Sequence, residues 1–197
     1  MLNTTFFSTG SYFIDQKVNF FKFGNLYNIY NDKGEKIGLV NQQLTGWQKV
    51  LRLLLKQAML PFFMEIRNAD EQIEAVVKRG WTFFMSTITI ANQEGMQIGI
   101  IKQKFKLFKP TFIIFDASGS QTASIVGNWT AWDFVIKNES DVEIGKINKK
   151  WAGAAKEIFT TADKYNVSFD YNYQDPTKKI LALSGAICID MVFKNNK

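Results

Sequence analysis

Side-chain chemistry near neutral pH most often begins with histidine, and this chain of 197 residues has none. Its absence removes Ser-His-Asp and Cys-His nucleophile systems, His-ligated zinc and imidazole acid/base catalysis together. The sequence also lacks a Walker phosphate loop, a G-x-G-x-x-G turn and a G-x-S-x-G elbow. The single cysteine, Cys188, cannot pair within the chain and lies in an apolar run. There it reads as a small hydrophobe, not a nucleophile, and it fits a reducing compartment. No catalytic constellation remains, so neither an enzymatic role nor a cofactor is expected.

The remaining chemistry is the binding of anions. The formal net charge is +6, which favours an anionic phospholipid surface or a nucleic acid as partner. In a strand, Lys102, Lys104 and Lys106 point to one side and Ile101, Phe105 and Leu107 to the other. That strip, with Lys109, Lys149 and Lys150, reads either as a solvated face or as a contact for phosphate headgroups. A second basic stripe lies on the helix expected from Trp47 to Leu60, ended by Pro61. Lys49, Arg52 and Lys56 share one face of it, while Leu51, Leu54, Leu55, Ala58 and Met59 cover the rest. A basic amphipathic helix opening on tryptophan suits a membrane interface, and equally a lid over a core.

The elements that must hold these residues are read from two patterns. The last apolar stretch, Ile180 to Phe193, is hydrophobic on every side of any helix drawn through it, so protein or lipid must enclose it. Its length fits a buried core helix better than a bilayer span of about twenty residues, and Asp190 also argues against lipid. Asp175-Pro176 supplies an N-cap and a first-turn proline, which starts the helix at Pro176. The second pattern recurs five times: apolar-x-Ile-x-Asn/Asp, a turn, then Gly/Ala-x-Ile/Val. Its copies run from Tyr27 to Val40, Met64 to Val77, Ile88 to Ile101, Phe112 to Ile125 and Phe134 to Ile147. Each reads as a β-hairpin, with the small residue permitting a bulge or the close approach of another backbone. Ten or more antiparallel strands hide their edges best by closing, and a wide barrel needs a filling. The apolar helix is that filling. The expected fold is all-β, a closed antiparallel barrel around one helix. It forms a single domain over 1–197, with an arm at 1–10, a first strand near Ser11 to Ile14 and the central helix at 176–193.

The C-terminal third resembles the phospholipid scramblase family. The likeness rests on Gly145-Lys146-Ile147, Lys150-Trp151-x-Gly153, Glu157-x-Phe159-Thr160-x-Ala162-Asp163-x-Tyr165 and Ile189-Asp190-x-x-Phe193. The hairpin series resembles the wider group of scramblase, LURP-one-related and tubby-like proteins. This resemblance implies a barrel of about twelve strands around a hydrophobic C-terminal helix, and a role at phospholipid membranes that extends in scramblases to moving lipid between leaflets. LURP-one relatives imply the alternative, a soluble module that binds protein or nucleic acid. The family's calcium segment falls on Thr161 to Asn172, where Thr161, Asp163 and Asn172 occupy the ligand positions, with Asp170 and Asp175 nearby. Calcium prefers six to eight oxygens, so one carboxylate with neutral helpers makes at best a low-affinity site. The expected location is cytoplasmic, with peripheral contact at the inner membrane face. The expected lipid-contact set is Trp47, Lys49, Arg52, Lys56, Lys102, Lys104, Lys106, Lys149 and Lys150.

Overall fold

A computed structural model describes residues 4–17, 25–44, 46–47, 59–81, 87–104, 111–128, 130–149 and 164–193. Within these, twelve strands follow one another around a barrel: β1 (Ser11–Lys17), β2 (Leu26–Tyr30), β3 (Lys36–Gln43), β4 (Phe62–Asn68), β5 (Ile73–Arg79) and β6 (Thr87–Ala91), then β7 (Gln97–Lys104), β8 (Thr111–Asp116), β9 (Gln121–Asn128), β10 (Asp133–Asn138), β11 (Glu143–Asn148) and β12 (Lys164–Phe169). Every neighbour is antiparallel and β1 pairs with β12, so the sheet closes and no edge is left to recruit another strand. The first strand runs three residues further than its apolar pattern suggests, because Asp15 and Lys17 still have partners on β12 and β2.

One local device builds the five hairpins. The Oδ1 of Asn92 accepts hydrogen bonds from the backbone N–H groups of Glu94 (3.0 Å) and Met96 (2.9 Å). Asn31, Asn68, Asp116 and Asn138 make the same pair of bonds at 2.9–3.1 Å. A short polar side chain here imitates a backbone turn and fixes the loop. Three residues later the chain enters the left-handed region, at Gly95 (φ 80°) and its counterparts Gly34, Glu71, Gly119 and Asp141. The register shifts beside the preceding isoleucine, at Ile29, Ile66, Ile90, Ile114 and Ile136. A turn, a left-handed residue and a bulge form one of the common hairpin closures. The small residue of each copy lies opposite that isoleucine. At Gly99 an added Cβ would come within 2.5 Å of the Phe115 carbonyl oxygen and 2.6 Å of Leu181 Cδ2, so glycine lets the neighbouring backbone and the central helix approach together.

The first helical segment, α1 (Thr4–Phe7), belongs to the expected arm and buries Phe6 and Phe7. The second, α2 (Pro176–Phe193), fills the lumen. Asp175 caps it, accepting the Lys178 N–H at 3.1 Å on Oδ1, and Pro176 follows as expected. From Lys179 to Val192 the helix is buried on all sides, and at Gly185 the wall packs so closely that an added Cβ would come within 2.7 Å of Ile125 Cδ1. The wall meets it with the inward residues of the hairpins, among them Tyr27, Ile66, Ile90, Ile114 and Ile136, each with no exposed surface. Wall and helix therefore share one core. Among the described residues no helix is long and apolar enough to cross a membrane.

Candidate functional site

Strand alternation gives the barrel two unlike ends. The five tight turns, α1 and the link 170–175 lie at one. The connections 18–25, 44–61, 80–86, 105–110, 129–132 and 149–163 join strands at the other. The described basic candidates belong to this second end. Lys102 and Lys104 close β7 and are exposed, while Ile101 and Gln103 between them are buried, as the alternation requires. Lys149 leaves β11 exposed, and Trp47 follows β3 with 52% of its surface exposed. Lys49, Arg52, Lys56, Lys106 and Lys150 lie outside the described residues, as does the expected helix apart from its two ends. So do Trp151, Gly153 and Glu157.

The two ends treat their cations differently. Near the tight turns, Lys137 pairs with Asp141 at 2.9 Å and Lys146 with Glu143 at 3.1 Å. Near the long connections the buried Lys164 lies 3.9 Å from Asp15, and three further cations lie over aromatic rings. Lys102 Nζ is 5.3 Å from the Phe115 ring centre, Lys149 Nζ 5.3 Å from Trp132 and Lys78 Nζ 5.3 Å from Phe63. A ring face orients an ammonium without neutralising its charge. Beside these, Trp47 stacks on Trp81 at 6.1 Å between ring centres, and Trp81 is 50% exposed. Lys78, Trp81 and Trp132 were missed by the sequence reading. Only the shared end of the barrel unites them with Lys102 and Lys149.

Inside the same end the lumen becomes polar. Tyr27 donates its hydroxyl to Asp190 Oδ2 at 2.7 Å, which supplies the partner that a buried carboxylate demands. Burial, then the Asp190 charge, holds the Tyr27 hydroxyl well above its ordinary ionisation range. Tyr165 is raised for the same two reasons. Burial pushes the Cys188 thiol up to about 12, partly offset by the Arg79 guanidinium, so the thiol is not a nucleophile. Arg79 is the inward residue that follows Ala75 and Val77 in strand alternation, a signal available in the sequence. Its Nη2 donates to the Leu60 carbonyl at 2.6 Å and its guanidinium lies 4.6 Å over Phe62. These groups brace the helix against the wall, and no nucleophile with an adjacent base is found among the described residues.

At the opposite end Lys179 Nζ, itself buried, donates to the carbonyls of Phe7 (3.0 Å) and Thr9 (3.3 Å) and to Gln174 Oε1 (3.0 Å). Burial lowers its ionisation from the ordinary lysine value. Of the calcium positions, Thr161 and Asp163 lie outside the described residues. Asn172 is exposed and its N–H donates to Asp170 Oδ1 at 2.9 Å, while Asp175 is committed to capping α2. Among the described residues no three His, Cys, Asp or Glu side chains converge on a metal position.

The fold has a solved counterpart in the X-ray structure of a protein from Arabidopsis thaliana. It aligns over 100% of this chain and 98% of its own with a TM-score of 0.56, at 9% sequence identity. That likeness concerns the fold alone. Among sequences, a phospholipid scramblase family protein of Schizosaccharomyces pombe is 24% identical across 74% of this chain and 40% of its own length. Human phospholipid scramblase family member 5 is 27% identical across 56% of this chain and 43% of its own. Mouse phospholipid scramblase 1 is 26% identical across 55% and 35%. This chain thus spans less than half the length of these relatives. The scramblase family model matches residues 18–196, which takes in every strand from β2 onward and the whole of α2. With the barrel, its enclosed helix and that match in agreement, the chain belongs to the scramblase family.

Proposed function

We propose that this barrel associates with anionic phospholipid surfaces without catalysing a reaction, and that it takes part in scramblase-type handling of phospholipid there. The carrying observation is the gathering of exposed Lys102, Lys104 and Lys149 around the end that also exposes Trp47. Basic residues near an anionic leaflet are worth about 1 kcal/mol each, and tryptophan suits the interface between water and lipid. Family membership supports the phospholipid class of partner. Because α2 is enclosed by the wall, exchange of lipid between leaflets requires the barrel to open or several barrels to assemble.

Co-sedimentation with vesicles tests this reading. Binding is expected to phosphatidylserine-containing vesicles and not to pure phosphatidylcholine, weakening as salt rises and unchanged by calcium. Changing Lys102, Lys104 and Lys149 together to glutamate should weaken it at least about tenfold. Equal binding to neutral vesicles, or none to anionic ones, sinks the proposal, and in the second case the partner is a soluble one.

A further inference from the structure

We infer that the barrel stands end-on at the anionic leaflet, with the Trp47–Trp81 pair entering the interface, the acidic turns facing away and the Asp190 end of α2 nearest the lipid. This orientation rests on the lipid reading above and adds to it which surface makes contact.

The polarity of the chain carries the inference. In the five tight turns and the link 170–175 there are nine acidic residues and one basic, Lys33. At the other end the described strand ends expose four cations, Lys78, Lys102, Lys104 and Lys149, against one carboxylate, Asp133. The described tryptophans, Trp47, Trp81 and Trp132, all lie in the connections of this end. The strand order brings these residues to one end and separates them from the acidic turns by the length of the barrel. The 18 residues of α2 span roughly 27 Å at about 1.5 Å per residue. The Debye length at physiological salt is about 8 Å, so in this orientation the carboxylates lie beyond the reach of the leaflet's field. Inverted, they would meet it directly. Lying on its side, the barrel would hold both ends at equal distance and gain little from either.

The tryptophan pair distinguishes contact from mere attraction. Trp47 and Trp81 leave β3 and β5, which are separated around the wall only by β4. They meet outside the barrel and each leaves about half its surface to solvent. Large exposed side chains also occur at the acidic end, namely Met96, Val142 and Tyr171. Val142 and Tyr171 adjoin Asp141 and Asp170 in the chain, Met96 is two residues from Glu94, and none has an exposed aromatic stacked on it among the described contacts, so an anionic leaflet repels their surroundings.

Two single labels test the orientation. Cys188 is fully buried, so a polarity-sensitive fluorophore can be attached at Trp81→Cys or at Met96→Cys, two exposed sites of similar accessibility at opposite ends. On adding phosphatidylserine vesicles, the label at 81 should brighten at least about twofold and be quenched by lipids carrying a nitroxide on the acyl chain. The label at 96 should do neither. Should Trp81→Cys weaken binding, a label at Thr87→Cys, exposed where β6 opens at the same end, replaces it. Binding with an equal or larger response at 96 overturns the orientation while leaving the lipid reading intact. Absence of sedimentation by the unlabelled protein overturns both.

Discussion

At the scale of single residues, the most constrained groups are those in the lumen near the C-terminal end of α2. Cys188 is held protonated up to about 12 against an ordinary value of 9.0, and Tyr27 and Tyr165 are raised from 10.0 in the same direction. A raised value in the folded state means stability that is complete below the unfolded value and is lost as pH climbs toward the folded one. Between pH 7 and 9.5 the unfolded chain releases protons that the folded barrel keeps, so urea unfolding should show a loss of about 1 kcal/mol. Most of that loss should vanish in Cys188→Ala, since the thiol has the lower unfolded value. An unchanged pH dependence in that variant would remove the thiol from the account. Arg79 has the opposite sign, but burial lowers it only to about 10, above the window.

At the scale of elements, the hairpin device predicts two substitutions of opposite effect. Gly95 sits at φ 80° with open space where a Cβ would go, so Gly95→Ala costs conformational strain alone, about 1 kcal/mol. Glu71 holds the equivalent position at φ 63° with a side chain that strains it, so Glu71→Gly should gain up to about 1 kcal/mol. Arg67 donates to the Glu71 main-chain carbonyl at 2.8 Å, a contact that glycine keeps. Thermal unfolding of the two variants checks the pair, and a shift of the same sign in both would contradict the assignment. The repeat was readable at this scale because each turn is local: Asn92, Gly95 and Gly99 all act within eight residues of chain. The long connections are not legible in this way, since what they meet lies far away in sequence.

At the scale of the molecule, a closed wall and an enclosed helix depend on each other. Leu183 is fully buried at the middle of α2, and Leu183→Ala should cost about 2–5 kcal/mol through lost burial and the cavity left behind. Circular dichroism with chemical unfolding would show that loss as one cooperative transition of wall and helix. Separate transitions would mean that the barrel stands without its filling. The enclosure also bears on function. A helix that completes the core of the closed barrel does not lie against lipid, so the proposed membrane contact falls to side chains such as Trp47, Trp81, Lys102 and Lys149 at the barrel end.

Local and periodic features of the chain were enough to determine much of this protein. The period-two hairpins, the Asp175-Pro176 start of α2 and the all-round apolarity of Ile180 to Phe193 led to a barrel and its filling, because turns, caps and burial patterns are written in neighbouring residues. The basic residues Lys102, Lys104 and Lys149 could be named as candidates in the same way. Their company could not. Trp81 beside Trp47, Trp132 under Lys149 and Tyr27 against Asp190 are separated by between 17 and 163 positions in the chain. Closure of the sheet from β1 to β12 decides these meetings, since it alone sets which strand ends face the same way and which side chains share the lumen.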